Sequence, residues 1–297
     1  MNKDDVVLVT GANSGMGKAT ALALAKTGAQ VVMLCRHPGR GQAALEEIRS
    51  ASNNKSVMLM LCDLASIEDI CRFADAFRSR YSTLSVLINN AGILASRRQL
   101  TKDGYELNFG VNYLGHFLLT NLLLDLIIPA KGRIVTLSSV AHKIGSIHFD
   151  DINLTGSYGW LKAYSQSKLA NVLFTYELAL RLKETGATAN CLHPGVVATN
   201  IIVDRQTGLG SLTARLMKHF FISPEQGAET AIYLATSPEV QGVSGQYFRR
   251  KQPIESSQLS YDLETAVRLW DLSERMAGLS LEQAVNAYSL KASLSCV

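Results

Sequence analysis

Two tyrosine–lysine pairs with the same spacing lie close together in the stretch YGWLKAYSQSK, residues 158–168. The first pair is Tyr158 and Lys162, and the second is Tyr164 and Lys168. Residues four apart on a helix share one face, so each lysine can lie beside its tyrosine. A free tyrosine has a pKa of about 10, and a nearby ammonium favours the phenolate. Such a pair is therefore a candidate for general acid–base catalysis.

The second pair is the better candidate. Residues 164–182 contain neither Gly nor Pro and predict a continuous helix. Gly156 and Gly159 flank Tyr158, and Gly159 falls inside the first pair, which is typical of a loop or of the fraying start of a helix. We therefore predict that Tyr164 and its lysine, rather than Tyr158, exchange the proton.

A carbonyl substrate also needs a second hydrogen-bond donor, and the sequence TLSSVAH (136–142) offers one where a predicted strand ends. We predict that Ser139 is this donor and that Ser138 is structural. Adjacent serines commonly do no more than cap a loop. In a doubly wound sheet, however, the carboxyl end of this strand faces the ligand crevice, which favours a functional role for Ser139. His142 could line the substrate entrance, although we favour a surface or supporting position for it.

The elements that position these side chains follow from the rhythm of the chain, in which short β-branched runs alternate with helical patterns. The runs lie at 6–10, 31–34, 57–62, 85–89, 133–138 and 188–193, and the helical patterns lie at about 15–27, 40–51, 66–80, 104–128, 160–185, 224–236 and 263–279. This alternation predicts a single-domain α/β fold with a doubly wound parallel sheet and helices on both faces. A short strand is expected near 244–248, and a C-terminal helical extension over about 256–297.

We expect one domain over residues 1–297, in which a segment of about 196–222 covers the substrate. Within it, residues 205–222 mix glycines and basic residues with Leu and Phe. This mixture fits a mobile lid over an apolar substrate, a membrane-contacting patch, or ordinary core. We favour the lid.

The composition excludes several classes of protein. Hydrophobic residues make up 47% of the 297 residues and charged residues 18%, which argues against a disordered chain. The net charge of +4 is not concentrated in any block, so we expect no nucleic-acid partner. The five scattered cysteines form no C-x-x-C pair, which predicts reduced thiols, a cytoplasmic location and no metal site. The most apolar stretch, 117–130, is shorter than the about 20 residues of a membrane span.

The sequence TGANSGMG (10–17) follows the first predicted strand and opens a helix. Its glycines let the backbone turn and approach a pyrophosphate, and the helix N-terminus supplies free N–H groups. This context predicts a Rossmann-type dinucleotide site rather than an ordinary βα turn. The contacts that we assign to it are Gly11, Asn13, Ser14, Gly15, Met16 and Gly17.

The choice of dinucleotide depends on the end of the second strand. An NAD site places Asp or Glu there, whereas this chain has Cys35 followed by Arg36. A guanidinium can pair with a 2′-phosphate, so we predict NADP(H) in preference to NAD(H). Lys18 and Arg40 could add positive charge. The further predicted cofactor contacts are Asp63 and Leu64 after the third strand and Asn90, Ala91 and Gly92 after the fourth, with Asn89 structural.

Taken together, the chain resembles the short-chain dehydrogenase/reductase family over nearly its whole length. The motifs that carry the resemblance are TGANSGMG, CDL, NNAG, Asn112 in GVNYLGHF, Ser139, Tyr164-x-x-x-Lys168 and HPG (193–195). The resemblance implies that Tyr164 is the acid/base and that Lys168 binds the nicotinamide ribose and lowers the tyrosine pKa. It implies that Ser139 orients the substrate oxygen and that Asn112 holds a water linking Lys168 to solvent. It also implies that Pro194, Gly195 and Val197 border the nicotinamide, and that Thr199 reaches its carboxamide or the phosphates.

Finer features resemble the branch of the retinol dehydrogenases and the WW-domain-containing oxidoreductase. Ser139 and Tyr164 lie 25 positions apart, longer than is common in the family, and residues around 144–160 look like an insertion of this branch. His37 stands where the branch often has Asp. The membrane-bound retinol enzymes begin with an apolar anchor, and this sequence shows none, which argues against a retinoid as the natural substrate.

The resemblance and the residues together predict an NADP(H)-dependent oxidoreductase that interconverts a carbonyl and an alcohol on an apolar small molecule. Two alternatives remain open: a non-catalytic NADP(H)-sensing protein on the same fold, and an NADPH-dependent reductase of carbon–carbon double bonds. The family often pairs through two long helices, here about 104–128 and 160–185, so a homodimer or homotetramer is also expected.

Overall fold

In the computed structural model, which describes residues 1–195 and 222–279, the strands form a single eight-stranded sheet. The strand order is β3-β2-β1-β4-β5-β6-β7-β8, and every neighbouring pair is parallel except β7 and β8. The strands are β1 (Val6–Thr10), β2 (Gln30–Cys35), β3 (Met58–Leu61), β4 (Val86–Asn89), β5 (Arg133–Leu137), β6 (Thr188–Leu192), β7 (Tyr247–Arg249) and β8 (Gln252–Pro253). The predicted doubly wound sheet is confirmed.

Helices connect the parallel strands and cover both faces of the sheet. Those described are α1 (Gly15–Ala25), α2 (Pro38–Ser52), α3 (Ile67–Arg78), α4 (Leu107–Phe109), α5 (Gly115–Leu122), α6 (Leu124–Ile127), α7 (Trp160–Arg181), α8 (Pro224–Thr236) and α9 (Leu263–Ala277). Two hydrophobic clusters lie on opposite faces, and β1 shows how they form. Val6 and Leu8 contribute to one cluster, whereas Val7 and Val9 contribute to the other, because successive side chains of a strand point to opposite faces.

The long helix predicted over about 104–128 is interrupted. A π-helical turn, Gly110–Leu114, separates α4 from α5, and α6 follows as a further short helix. The chain is closely packed directly after this turn, because a Cβ added at Gly115 would lie 2.5 Å from the carbonyl oxygen of Leu64. Single π turns inside helices are common at functional sites. Asn112 lies in the middle of this one.

The C-terminal helix α9 packs against α7 and α5. The Trp270 ring lies edge-on to Phe117 at 4.9 Å between centroids and stacks on Phe174 at 5.7 Å. The Arg181 guanidinium lies over the same indole, 4.1 Å from its centroid. Part of the surface of the two long helices is therefore covered by the chain itself.

Two predicted features fall largely outside the described residues. The segment of about 196–222, expected to cover the substrate, is described only at Ile222, and the C-terminal extension only as far as residue 279. Within the described ranges, none of the helices has the length and apolar character needed to cross a membrane.

Candidate active site

The carboxyl ends of β1, β2, β3 and β4 border a cavity of about 400 Å³. It lies where the strand order reverses, between β1 and β4, and ligands of doubly wound sheets bind at this point. Its lining includes the residues of the glycine loop and of the ends of β2, β3 and β4 that are predicted to hold a dinucleotide: Gly11, Asn13, Ser14, Gly15, Met16, Gly17, Arg36, Asp63, Leu64, Asn90, Ala91 and Gly92.

The glycine loop has the shape that a pyrophosphate needs. Gly11 has φ +66°, a backbone conformation that favours glycine, and a Cβ at Gly17 would lie 2.3 Å from the Gly11 carbonyl oxygen. The α1 helix begins at Gly15, and the side chain of its N-cap residue, Ser14, makes no capping hydrogen bond. The first N–H groups of α1 are thus left without a side-chain cap beside the cavity, and the positive end of the helix dipole favours an anion there. These features fit a dinucleotide.

Thr10, at the end of β1, ties this loop to the end of β4. Its hydroxyl oxygen accepts hydrogen bonds from the backbone N–H groups of Asn90, at 2.9 Å, and of Ala91, at 2.8 Å. The Asn90 side chain donates to the Thr10 carbonyl at 2.7 Å. Asn90 therefore shapes the cavity wall as well as lining it. Asn89 has the predicted structural role, since its amide donates to Thr120 and Thr136.

The charges near the end of β2 are distributed differently from what the sequence suggested. Arg36 lines the cavity, but Lys18 forms an ion pair with Glu47 at 2.6 Å. The charge of Lys18 is therefore already matched. His37, whose role the sequence left open, is the N-cap of α2, where its ring Nδ1 accepts from the backbone N–H of Arg40. Asp63 accepts the backbone N–H of Ala65 at 3.0 Å.

Tyr164 and Lys168 lie one turn apart near the start of α7, as predicted. The Lys168 ammonium is 5.7 Å from the centroid of the Tyr164 ring and donates to the Leu137 carbonyl at 3.0 Å. Burial lowers the pKa of Lys168 to about 8 and raises the pKa of Tyr164 above its ordinary value. A Cβ at Gly92 would lie 3.8 Å from the ammonium, so the lysine borders the cofactor cavity.

Ser139 follows the end of β5 and joins Tyr164 and Lys168 in the candidate site. Its hydroxyl lies close enough to that of Tyr164 to oppose the rise in the tyrosine pKa caused by burial. The Ser139 oxygen also accepts the backbone N–H of Ala141, at 3.2 Å. Ser138 has the predicted structural role, because its hydroxyl donates to the Lys168 carbonyl at 2.8 Å. Two hydroxyl groups thus meet beside one ammonium.

The first tyrosine–lysine pair does not assemble. Tyr158 precedes α7, which begins at Trp160, so its lysine is not on the same helical face. The Tyr158 hydroxyl donates to the Ala95 carbonyl at 2.8 Å and accepts from Asn108 at 3.3 Å. Burial raises the Tyr158 pKa to about 12. These contacts assign Tyr158 to the loop structure.

Asn112 is fully buried in the π turn. Its side chain accepts from the Ile93 backbone N–H at 2.8 Å, and it donates to the Ile93 carbonyl at 3.0 Å and to the Ser167 hydroxyl at 3.1 Å. Ser167 in turn donates to the Tyr164 carbonyl at 2.7 Å. Asn112 is therefore connected to the helix that carries Tyr164 and Lys168.

Two buried histidines, His116 and His142, contact residues of the site, and of these two the sequence singled out only His142. His142 contacts the Ser139 carbonyl at 2.6 Å and accepts the backbone N–H of Ser257 at 3.0 Å. It is fully buried, so it contacts Ser139 from the protein interior and does not line an entrance. His116 contacts Asn112 and Thr10, and the only sequence signal for it is a lone histidine in an apolar helix.

The described residues include only some of the remaining predicted cofactor contacts. Pro194 and Gly195 follow β6 at the same sheet edge, and Gly195 has φ +97°. Val197 and Thr199 lie outside the described residues. Within the described part of the chain, no group of three or more His, Cys, Asp or Glu is arranged to hold a metal ion.

Comparison with known proteins agrees with this geometry. The family model described as short chain dehydrogenase matches residues 5–209. Human retinol dehydrogenase 14 is 45% identical over 291 residues, which cover 92% of this chain and 86% of that protein. Mouse retinol dehydrogenase 12 is 44% identical over 278 residues, which cover 93% of this chain and 87% of that protein.

Solved structures show the same fold. An uncharacterised protein from Mycobacterium paratuberculosis is 36% identical, with a TM-score of 0.74 over 92% of this chain and 93% of its own. A polyketide ketoreductase for actinorhodin, solved with NADPH, is 29% identical, with a TM-score of 0.64 over 84% of this chain and 97% of its own. The chain therefore belongs to the short-chain dehydrogenase family, in its retinol dehydrogenase-like branch, and is an oxidoreductase of the kind that interconverts alcohols and carbonyls.

Proposed function

We propose that this protein uses NADP(H) in preference to NAD(H) to interconvert an apolar aldehyde or ketone and its alcohol. The observation that carries the proposal is that Ser139 lies close to Tyr164, whose ring centroid is 5.7 Å from the Lys168 ammonium, and that this lysine borders the glycine-lined cavity at Gly92. Three side chains with the required chemistry lie together at the edge of a dinucleotide-shaped space.

Each of the three has a distinct role in the proposed reaction. A bound nicotinamide supplies or takes up the hydride. Tyr164 gives its hydroxyl proton to the substrate oxygen during reduction and takes it back during oxidation. Ser139 accepts the Ala141 N–H, and its own hydroxyl hydrogen can be donated to the substrate oxygen in place of Tyr164 as negative charge develops there. Lys168 favours the ionised form of the tyrosine and holds the nicotinamide ribose.

The raised pKa of Tyr164 fits this arrangement. In the protein without cofactor, burial opposes the phenolate, and the Ser139 hydrogen bond offsets only part of that effect. A positively charged nicotinamide close to the phenol would favour its ionisation. The reduced nicotinamide is uncharged, so the tyrosine keeps the proton that it donates during reduction.

The preference for NADP(H) rests on Arg36. Its side chain lines the cavity at the end of β2, and the strand provides no acidic residue at Cys35 for the ribose 2′-hydroxyl of NAD. A guanidinium binds a phosphate through two parallel hydrogen bonds. The related polyketide ketoreductase was solved with NADPH, which is consistent with the same preference here.

The apolar substrate is supported by the surroundings of the catalytic hydroxyls. Val140 follows Ser139 directly, and Ile144 lies at the end of the same 3₁₀ turn with 65% of its surface exposed. Trp160 and Leu161, both exposed, precede Tyr164 by one helical turn. Exposed apolar side chains within a turn or two of Ser139 and Tyr164 favour an apolar ligand. Several relatives are named for retinol, and a retinoid therefore belongs in any substrate panel.

The proposal is tested by a screen for NADPH consumption over aliphatic, aromatic and terpenoid aldehydes and ketones and retinal, repeated with NADH. We expect turnover of at least one apolar carbonyl, with the alcohol as product and a higher kcat/KM for NADPH than for NADH. Tight binding of NADPH without turnover of any compound would instead favour the sensing protein, and a reduced carbon–carbon double bond in the product would favour the alternative reductase. Equal efficiency with NADH would contradict the cofactor preference.

The location and assembly of the protein stay predictions. We propose a cytoplasmic enzyme that forms a homodimer or homotetramer, in which the part of α5 and α7 that contacts Trp270 of α9 is not available for pairing.

A further inference from the structure

His116 lies between two parts of the site that are far apart in sequence. It is on α5, one turn after Asn112, and only 1% of its surface is exposed. Its ring Nδ1 is 3.0 Å from the Asn112 carbonyl oxygen, and Nε2 is 2.9 Å from the Thr10 hydroxyl oxygen. The imidazole therefore spans the π turn and the end of β1.

The neighbours of the ring determine where its proton lies. A carbonyl oxygen only accepts hydrogen bonds, so Nδ1 must carry hydrogen toward Asn112. The Thr10 oxygen already accepts two backbone N–H groups, from Asn90 and Ala91. Its hydroxyl hydrogen can reach the Ile88 carbonyl at 3.3 Å, but Nε2 of His116 is closer, at 2.9 Å. The neutral Nδ1–H tautomer satisfies every one of these groups.

These surroundings disfavour the doubly protonated, positively charged form of the ring. A second N–H on Nε2 would face a hydroxyl oxygen that already accepts two hydrogen bonds. The nearby Lys168 ammonium also opposes a positive charge on the ring, and burial lowers the His116 pKa to about 4. The ring is therefore neutral at physiological pH and fixed in one orientation.

This ring joins two halves of the site into one network. On one side, Thr10 holds the backbone of Asn90 and Ala91 at the cofactor cavity. On the other side, Asn112 donates to Ser167, whose hydroxyl binds the Tyr164 carbonyl. His116 is the link between these two sides.

We infer that His116 is a positioning residue, which aligns the cofactor wall at Thr10 with the catalytic helix through Asn112. The inference rests on the proposed function, and it gives the two ring nitrogens separable tasks. Nδ1 serves the catalytic side, and Nε2 serves the cofactor side.

Two variants separate the tasks, because the amide of Asn reaches the position of Nδ1 and the amide of Gln reaches that of Nε2. His116→Gln keeps an acceptor for Thr10 and loses the donor to Asn112, so kcat should fall about tenfold while the NADPH Kd, measured by fluorescence titration, changes less than about twofold. His116→Asn keeps the donor and loses the acceptor, so the Kd should rise about tenfold with kcat largely retained.

A variant on the same helix provides the control. The Asn121 side chain donates to the Phe117 carbonyl at 2.8 Å, and Asn121→Ala removes this helix contact away from the site. We expect its kcat and its Kd to match those of the unmodified protein. If the Gln and Asn variants changed kcat and Kd by the same factors, His116 would be merely structural and the inference would be wrong.

A second readout is independent of activity. The ¹⁵N chemical shifts of the His116 ring, assigned by their loss in His116→Gln, should show a neutral Nδ1–H tautomer at pH 7 without cofactor. An Nε2–H tautomer or an imidazolium would overturn the inference. Turnover of Tyr164→Phe distinguishes failure of this inference from failure of the proposed function. If only the inference about His116 fails, Tyr164→Phe still loses turnover. If the proposed function fails, Tyr164→Phe does not lose turnover.

Discussion

The Lys168 ammonium lies 5.7 Å from the centroid of the Tyr164 ring, and its nearest acceptor is the Leu137 carbonyl at 3.0 Å. Within residues 1–195 and 222–279, Lys168 forms no ion pair with a carboxylate, and its ammonium lies near the Tyr164 ring and the cavity wall at Gly92. Burial disfavours the charged ammonium and therefore lowers the lysine pKa to about 8. This relationship makes the site sensitive to pH.

The pH dependence of cofactor binding has a definite sign. A lysine with a pKa of about 8 keeps its ammonium at neutral pH and loses it as the pH rises through that value. If Lys168 holds the ribose through a charged hydrogen bond, NADPH affinity should fall by about tenfold between pH 7 and pH 10. Fluorescence titration across this range measures the change.

Lys168→Arg tests whether that loss comes from this residue, since a guanidinium stays protonated at pH 10. Its NADPH affinity should be nearly constant with pH, whatever its absolute value. A pH dependence equal to that of the unmodified protein would assign the titration to another group.

Arg36 should control the choice between the two dinucleotides. Arg36→Asp replaces a phosphate-binding charge by one that repels the 2′-phosphate, so the NADPH Kd should rise by about a hundredfold and the NADH Kd should change little. Lys18→Ala is the matched control, because Lys18 is paired with Glu47 and should contribute little to either Kd. Equal losses for both cofactors in Arg36→Asp would refute the 2′-phosphate role.

Acid stability should depend on His116. Burial lowers its pKa from 6.5 to about 4. Between these two pH values the unfolded chain binds a proton on this histidine and the folded protein does not. Stability is therefore lost as the pH falls, by about 2 kcal/mol between pH 7 and pH 5 for this one residue. His193, with a pKa also lowered to about 4 by burial, adds a similar loss.

Urea unfolding at pH 7 and pH 5 measures this effect. The difference in the free energy of unfolding between the two values should be smaller in His116→Gln than in the unmodified protein by about 2 kcal/mol. The comparison is made within each protein, so the cost of the substitution itself cancels. An unchanged difference would show that His116 is not buried in its neutral form.

Much of the fold could be predicted from the sequence, because it depends on local patterns. The strand β1 is apolar on both faces, as a strand covered on both sides must be, and the α8 helix spans Pro224–Thr236, the range predicted from the sequence. The choice between Tyr158 and Tyr164 followed from Gly159, which precedes α7 as its N-cap. These features are determined by residues within a few positions of one another.

What the sequence did not predict depends on contacts between distant residues. The π turn at Gly110–Leu114 interrupts a pattern that is helical throughout, and close approach of Gly115 to Leu64 is not visible in it. The ion pair of Lys18 with Glu47 joins residues on two different helices. His116 acquires its partners only when α5 packs against the end of β1. Local propensity carries no information on any of these.

The central claim is that Tyr164, and not Tyr158, exchanges the proton with the substrate. The most direct test is the NADPH-dependent turnover of Tyr164→Phe beside that of Tyr158→Phe, on a carbonyl that the unmodified protein reduces, with the NADPH Kd measured for each. We predict that Tyr164→Phe loses turnover while its Kd changes less than about threefold, and that Tyr158→Phe keeps most of its turnover. Retained turnover in Tyr164→Phe, or a comparable loss in Tyr158→Phe, would contradict the assignment.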